Sequence, residues 1–219
     1  MLKADFHVHT HYSKCSDMKP RDFVKMALKK SYNVLGVVDH NSIKGGIETK
    51  KIAGKKILVI PGEEIKTNYG EIIVFLSDGK YNRSLIDICE RAKKLNNFIV
   101  IPHPFDFLRI RTCLRNNMDK IKDSINAVEV FNSRVMISLF NKNAERYAIK
   151  NKIPKIAGSD AHFMEEIGNV ECFLNCERNV DSVLDYLQKD KMKFKGKMTS
   201  PLSHLKSNIS LPLSRLLKL

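Results

Sequence analysis

Five apolar runs in this chain each end on a residue able to bind a metal ion. They are Asp5-Phe6-His7-Val8-His9, Val37-Val38-Asp39-His40-Asn41, Ile60-Pro61-Gly62-Glu63-Glu64, Val100-Ile101-Pro102-His103-Pro104 and Ala157-Gly158-Ser159-Asp160-Ala161-His162. A short apolar run bounded by Gly, Pro or Asp reads as a buried strand. Strands that share a direction deliver their C-terminal ends to one face of a barrel or sheet. Residues as distant as His7 and Asp160 can then meet in one place.

Helical patterns fill the intervals. Residues 20–30 begin on Pro20 and set Phe23, Met26 and Ala27 on one face. Residues 83–95 space Leu85, Ile88, Ala92 and Leu95 at helical intervals. Residues 137–150 and 180–189 also read as helix, and 43–53 do so more weakly because of two glycines. Strands are expected at 1–6, 34–38, 57–60, 71–76, 98–101, 127–131, 155–157 and 169–174, with Asn68-Tyr69-Gly70 as the turn into the fourth. Strand and helix alternate about seven times with no break in composition before residue 195, and 219 residues suit one domain. The expectation is an α/β domain over residues 1–195 with parallel strands and crossover helices, as a barrel or an open sheet.

Two stretches stand apart. Residues 104–123 are basic and irregular, with Arg109, Arg111 and Arg115 close together. Residues 196–219 carry Lys197, Lys206, Arg215 and Lys218 without an acid, and Leu205, Ile209, Leu213, Leu216 and Leu217 make an interrupted amphipathic pattern. Pro201 and Pro212 preclude one long helix, so this tail is expected to pack on the barrel or on a partner.

Charge and cysteine usage narrow the function classes. Lys and Arg number 38 against 24 acids, a formal charge of +14. That excess favours a phosphorylated metabolite, a nucleic acid or an acidic surface as partner, and it also serves solubility. No apolar stretch approaches the roughly 20 residues of a membrane span, and no signal-peptide core is visible, so a cytoplasmic address is expected. Cys15, Cys89, Cys113, Cys172 and Cys176 are odd in number and include no CxxC, which argues against a disulfide framework or zinc ribbon. With no Trp and 8% aromatics there is no base-stacking signature.

His7 and His9 alternate, so an extended backbone projects both imidazoles to one side. Each segment alone has a plain structural reading: Asp160 as a helix cap, His103 as a hydrogen-bonded core histidine, Glu63 and Glu64 as surface charge. Their joint occurrence decides, because five of the seven histidines (His7, His9, His40, His103 and His162) fall in these segments. With Asp160 and a glutamate they exceed the needs of one tetrahedral zinc, so two or three ions sharing carboxylate bridges fit better, with Zn, Mn or Fe as candidates. Such clusters lower the pKa of bound water to roughly 7.

The set HxH, DHN, GEE, IPHP and GSDAH, in this order, resembles the PHP (polymerase and histidinol phosphatase) superfamily of metal-dependent phosphoesterases, over about residues 1–175. The resemblance implies a distorted (β/α)7 TIM-like barrel with up to three metals at the C-terminal ends of the strands. It implies His7 and His9 as ligands of the first metal, Glu64 rather than Glu63 as the bridge, and Asp160 completing that site. His40 and His162 resemble second-metal ligands and His103 a third-metal ligand. Asp160, His162 and Glu64 are the residues expected to carry catalysis. Two positions depart from the pattern. Cys15 or Asp17 stands where members often carry a His or Asp, and Asn132 where some carry a His. Asp39 is expected to orient a histidine. Arg134, Arg109, Arg111, Lys44 and His11 are candidate substrate contacts, the arginines for phosphate.

The implied reaction is hydrolysis of a phosphate ester by in-line attack of a metal-bound hydroxide. A nucleotide, nucleoside bisphosphate or short oligonucleotide is favoured over histidinol phosphate. The alternatives are a histidinol-phosphatase-like small-molecule phosphatase, a non-catalytic RNA-binding barrel of the ribonuclease P kind, and an amidohydrolase-like enzyme that splits carbon–nitrogen bonds.

Overall fold

In a computed structural model, which describes residues 1–109, 112–200 and 203, nine strands form one sheet. In chain order they are β1 (Leu2–Val8), β2 (Val34–His40), β3 (Leu58–Lys66), β4 (Glu71–Phe75), β5 (Phe98–Ile101), β6 (Ala127–Asn132), β7 (Lys155–Gly158), β8 (Val170–Leu174) and β9 (Lys193–Gly196). Their order across the sheet is β7-β6-β5-β4-β3-β2-β1-β8-β9. The sheet curls until β7 meets β1. Val8 and Ala161 form a parallel bridge, and the Asp160 N–H donates to the His7 carbonyl at 2.7 Å. The result is a nearly closed barrel.

β2 shows why these runs become strands. All but the last of its residues are buried, as in a strand covered on both faces. Phe6, Val38, Ile60, Ile73, Val100 and Ile156 belong to one buried cluster with residues of α5 (Val180–Gln188). A second cluster brings Leu35, Val37 and Val59 under Phe23, Val24 and Ala27 of α1 (Pro20–Lys29) and Ala53 of α2 (Lys44–Ala53). The remaining helices are α3 (Leu85–Lys94), begun by the Ser84 side chain accepting from the Asp87 N–H, and α4 (Ser138–Asn151).

The barrel departs from seven parallel repeats in three places. β4 runs antiparallel between β3 and β5, because residues 67–70 are too few for a crossover. The Thr67 hydroxyl closes that turn by donating to the Gly70 carbonyl at 2.7 Å. The reversal puts Glu71, the first residue of β4, beside the last residues of β3. β8 is antiparallel to β1. β9, which the sequence pattern does not announce, pairs antiparallel with β8; its Lys-Phe-Lys-Gly composition lacks the apolar run of a buried strand.

Gly158 is required where β7 meets β1. A Cβ there would lie 2.2 Å from His7 Cβ and 2.6 Å from Glu129 Oε1. A larger residue would push β7 off β1 and displace the segment that carries Asp160.

After β9 the backbone stays on the barrel. Lys197 N–H donates to the Asn169 carbonyl and Thr199 N–H to the Ser133 carbonyl. Of the tail expected at 196–219, residues 201, 202 and 204–219 lie outside the described residues, as does Arg111. Among the described residues no helix is long and apolar enough to cross a membrane.

Candidate metal centre

The strand ends converge. His7 and His9 lie in and just beyond β1, His40 ends β2, Glu64 lies near the end of β3 and Glu71 begins β4. His103 follows β5, and Asp160 and His162 follow β7. Three donor groups each bring their ligand atoms within 4.8 Å of one another: His7, His9 and Glu64; His9, His40 and His162; and His40, Glu64 and Glu71. Pairing β2 with β3 in register sets His40 beside Glu64 and Asp39 beside Glu63. Strand alternation then aims Glu64 into the centre, while Glu63 accepts from the Ser77 hydroxyl.

The spacing suits a small divalent ion. His7 Nε2 and His9 Nε2 are 3.0 Å apart, and Asp160 Oδ1 lies 3.5 and 3.2 Å from them. Glu64 places Oε1 3.6 Å from His7 Nε2 and Oε2 3.4 Å from His9 Nε2. Ligands at about 2.0–2.1 Å from a tetrahedral ion are about 3.3–3.4 Å from one another. Glu64 Oε2 also lies 2.9 Å from His40 Nδ1 and its Oε1 3.0 Å from His103 Nε2, so each oxygen stands between one histidine of β1 and one of these two. Glu71 stands 3.9 Å from His40 Nδ1 and 3.8 Å from His103 Nε2.

The far side of three of the imidazoles, His7, His9 and His162, is fastened. His7 Nδ1 faces Glu129 Oε1 at 2.9 Å, and His9 Nδ1 faces the Ser13 hydroxyl at 3.1 Å. Ser13 Oγ in turn donates to Asp39 Oδ1 at 2.6 Å, and Asp39 also accepts from Thr10 N–H and Thr10 Oγ1. This chain fixes His9 with Nδ1–H toward Ser13 and its Nε2 lone pair toward the centre. Asp39 thus orients His9 through Ser13. The room for it comes from Gly45, where a Cβ would lie 1.9 Å from Asp39 Oδ2. His162 Nδ1 lies 2.7 Å from the Asp160 carbonyl, which accepts its proton and leaves Nε2 as the free donor atom.

Two of these residues hold unusual backbone angles. Asp160 has φ 54° and His103 φ 29°. Such conformations cost about 1–3 kcal/mol and persist where neighbours over-determine them. Here the Asp160 N–H is held by the His7 carbonyl and the His103 N–H by Glu129 Oε2 at 2.9 Å.

Electrostatics follow from burial and mutual contact. Burial opposes the charge of Glu64, yet His40 and His7 outweigh it and hold that carboxyl well below the usual range. Burial likewise opposes charge on Asp160, which Arg109 and His7 hold well below its usual value. Burial keeps His9 and His162 below 6.5, reinforced by His40 in the first case and by His9 in the second. Burial thus favours the neutral imidazole, the form that ligates a metal. Burial together with Glu64 pushes the Glu71 carboxyl up to about 7. Two neighbouring acids that repel in this way are what a cation between them would relieve.

A cavity of about 440 Å³ opens over the centre, and His40, Glu71, Asp160, His162, Arg109 and Arg134 are among the residues that line it. Arg109 Nη1 donates to Asp160 Oδ2 at 2.8 Å and its Nε to Asp106 Oδ2 at 3.1 Å. Arg134 Nη1 bonds both oxygens of Glu166, at 2.7 and 3.0 Å. The other expected contacts sit elsewhere. His11 is exposed against the Tyr12 ring, because the chain turns after Thr10 and breaks the alternation. Lys44 is exposed on the first turn of α2. Neither lines the cavity.

Cys15 is half-buried and hydrogen-bonds to His40, but it joins none of the donor groups; nor does Asp17, which is exposed. Asn132 uses its amide internally. Its Nδ2 donates to Glu129 Oε2 at 2.9 Å and to Asp160 Oδ2 at 3.3 Å, and its oxygen accepts the Arg134 N–H. It positions a candidate ligand instead of offering a donor atom to the centre.

The sequence reading omitted Glu71, Glu129 and Ser13. Glu129 announces itself as an acid inside the apolar run Ala127-Val128-Glu129-Val130-Phe131. Glu71 begins its strand instead of following one, so only the short turn after Lys66 points to it.

Residues 5–121 match the PHP domain family. The chain belongs to that family. A PHP-associated region matches residues 138–192. His7, His9, His40, Glu64 and His103 thus lie in the PHP domain match, and Asp160 and His162 in the PHP-associated one. An uncharacterized protein of Methanocaldococcus jannaschii is 33% identical over 213 residues, covering 95% of this chain and 85% of that one. Among solved structures, a two-domain protein of Bacteroides vulgatus containing a predicted PHP-like metal-dependent phosphoesterase aligns with TM-score 0.76 and 20% identity over 90% of this chain. This PHP chain spans 65% of that protein's length. PsfC from Pseudomonas syringae aligns with TM-score 0.70 and 17% identity over 96% of this chain and 98% of its own. These two likenesses confirm the fold of the PHP domain.

Proposed function

We propose that the chain is a metal-dependent phosphoesterase acting on a nucleotide, a nucleoside bisphosphate or a short oligonucleotide. The observation that carries this reading is the meeting of His7, His9, Glu64 and Asp160 at the spacing of ligands around one ion, beside a second set made by His40, His103, Glu64 and Glu71. The donor chemistry fits two divalent ions of the Zn, Mn or Fe class, which these two sets of residues would hold with Glu64 common to both. Divalent ions held here supply Lewis acidity and a water nucleophilic at neutral pH.

The protein's own groups do the rest. Glu129 and the Ser13–Asp39 pair orient His7 and His9. Arg134 and Arg109 border the cavity, where a guanidinium can donate two N–H groups to the oxygens of one phosphate. Glu166 and Asp160 hold those guanidiniums in place before substrate arrives, which lowers the ordering cost of binding. The basic charge of +14 favours polyanionic substrates over a singly phosphorylated amino alcohol.

The test is release of free phosphate from a panel of phosphorylated metabolites and from 5′- and 3′-phosphorylated short oligonucleotides, with added manganese. Turnover lost on chelation and restored by metal is expected. Tightly bound metal without turnover on any phosphoester would overturn the hydrolase and favour a binding barrel. Activity on an amide alone would favour the amidohydrolase class.

A further inference from the structure

β9 forms one edge of the sheet, and its side chains sort cleanly by face. Phe194 packs on the Phe131 ring with centroids 5.5 Å apart, and Gly196 lies against the same ring. Lys193, Lys195 and Lys197 point the other way and are exposed. Alternate residues on a strand are about 6.8 Å apart, so Lys193 and Lys195 follow one another along this edge, with Lys197 just beyond the end of β9. Nearby salt bridges join Lys3 to Glu171 and Lys155 to Asp190, and among the described residues none joins a carboxylate to this row.

An aromatic ring lies beside this row. Phe173 of β8 pairs in register with Lys193. It is half-buried, belongs to none of the buried clusters, and has Lys195 Nζ 5.9 Å from its ring. The row also leads somewhere. β9 is antiparallel to β8, which is antiparallel to β1, so β9 points toward the face that carries the metal centre. Lys197 arrives there, its carbonyl accepting the Ser133 hydroxyl at 2.8 Å. Ser133 stands between Asn132, which touches Asp160, and Arg134, which lines the cavity.

We propose that this edge binds a single-stranded nucleic acid, with phosphates along Lys193, Lys195 and Lys197 and a base on Phe173, and leads the strand to the metal centre. Delivery for hydrolysis rests on the function proposed above; the binding does not. Lysines on an edge strand also block pairing with foreign sheets. That role needs charge alone and gives Phe173 nothing to do. A membrane surface would call for protruding apolar side chains, whereas Phe173 is half-buried, with Lys193 in register beside it. A cationic track with an aromatic platform suits single strands, because every base has a face to stack.

The experiment is fluorescence anisotropy of a labelled 12-nucleotide single-stranded RNA with the full chain in EDTA, across a salt series. The triple variant K193Q/K195Q/K197Q is expected to bind at least about tenfold more weakly at low salt. Its slope of log K against log salt should flatten by about 2, since each phosphate contact on a single strand contributes about 0.7. Phe173→Ala is expected to weaken binding by about tenfold while leaving the slope unchanged. Hydrolysis of p-nitrophenyl phosphate with manganese should be the same in the triple variant and the parent, which also shows that the variant is folded.

Equal RNA binding by the triple variant and the parent would overturn the proposal, as would no binding by the parent at low salt. So would binding of anionic vesicles but not RNA, or loss on removing the lysines with none on Phe173→Ala, which would mark a charge-only surface. RNA binding that behaves as expected in a protein without phosphoesterase activity would refute the function proposed above and leave this surface standing.

Discussion

Glu129 Oε1 lies 2.9 Å from His7 Nδ1 at the closed seam of the barrel. The other oxygen of the same carboxylate accepts the His103 N–H. One fully buried acid therefore orients a histidine of β1 and anchors the strained backbone of a histidine after β5. Partners of this kind set the tautomer and basicity of a ligand, and their loss costs about 10–100-fold in metal affinity. Glu129→Gln is expected to fold, by circular dichroism, and to bind zinc or manganese about 10–100-fold more weakly in isothermal titration. Unchanged affinity would show that Glu129 serves packing alone.

Glu71 supplies the second donor group with its extra carboxylate. Glu71→Gln keeps the shape and removes the charge. The expected outcome is loss of one metal equivalent per chain in elemental analysis, retention of the other, and at least about tenfold lower phosphoesterase activity. Retention of both ions would exclude Glu71 as a ligand.

Arg134 is expected to hold substrate phosphate, not the metal. Arg134→Lys loses the bidentate fork and should raise KM for a phosphate ester about tenfold with metal content intact. Removing one partner of a buried pair costs about 3–5 kcal/mol, and retaining a cation here should keep the loss at or below the low end. Glu166 also keeps the His162 and Phe163 N–H groups as donors. Melting temperature measured beside KM separates the two effects; an unchanged KM would remove Arg134 from substrate binding.

The five cysteines divide by burial. Burial pushes the Cys89 thiol up to about 12 and holds Cys172 well above its usual value. A thiol at about 12 is ionised in only about one molecule in ten thousand at pH 8, and the thiolate is the reactive form. Iodoacetamide at pH 8 is therefore expected to label Cys15 and Cys176, which are partly exposed, and to spare Cys89, Cys113 and Cys172 until the protein is denatured. Peptide mass mapping reads the pattern, and rapid native labelling of Cys89 or Cys172 would contradict this packing.

Much of this was legible in the residues. Apolar runs such as 34–38 and 98–101 become strands because a buried parallel sheet asks for nothing but apolar side chains. The residues just past them meet because such strands end on one face. His7, His9, His40, His103, Asp160 and His162 stand out that way, together with the pair Glu63 and Glu64, of which the resemblance chooses Glu64. What stayed hidden depended on direction and turning. The reversal of β4 brings Glu71 into the centre from the start of a strand, where the rule of looking past strand ends does not reach. His11 continues the alternation of His7 and His9 on paper, but the chain turns at that point and carries it to the surface. β9 is held by its pairing to β8 and by one phenylalanine on Phe131, and its lysines mask it as a surface loop.

The claim beneath all of this is that the clustered imidazoles and carboxylates share divalent cations. Anomalous diffraction from crystals soaked in manganese or zinc measures it most directly. The expected result is a strong peak bounded by His7, His9, Glu64 and Asp160, at about 2.0–2.2 Å from their donor atoms, with a second peak on the His40 side of Glu64. Crystals that hold metal only at the surface, with this cluster free of anomalous density at saturating metal, would contradict the account.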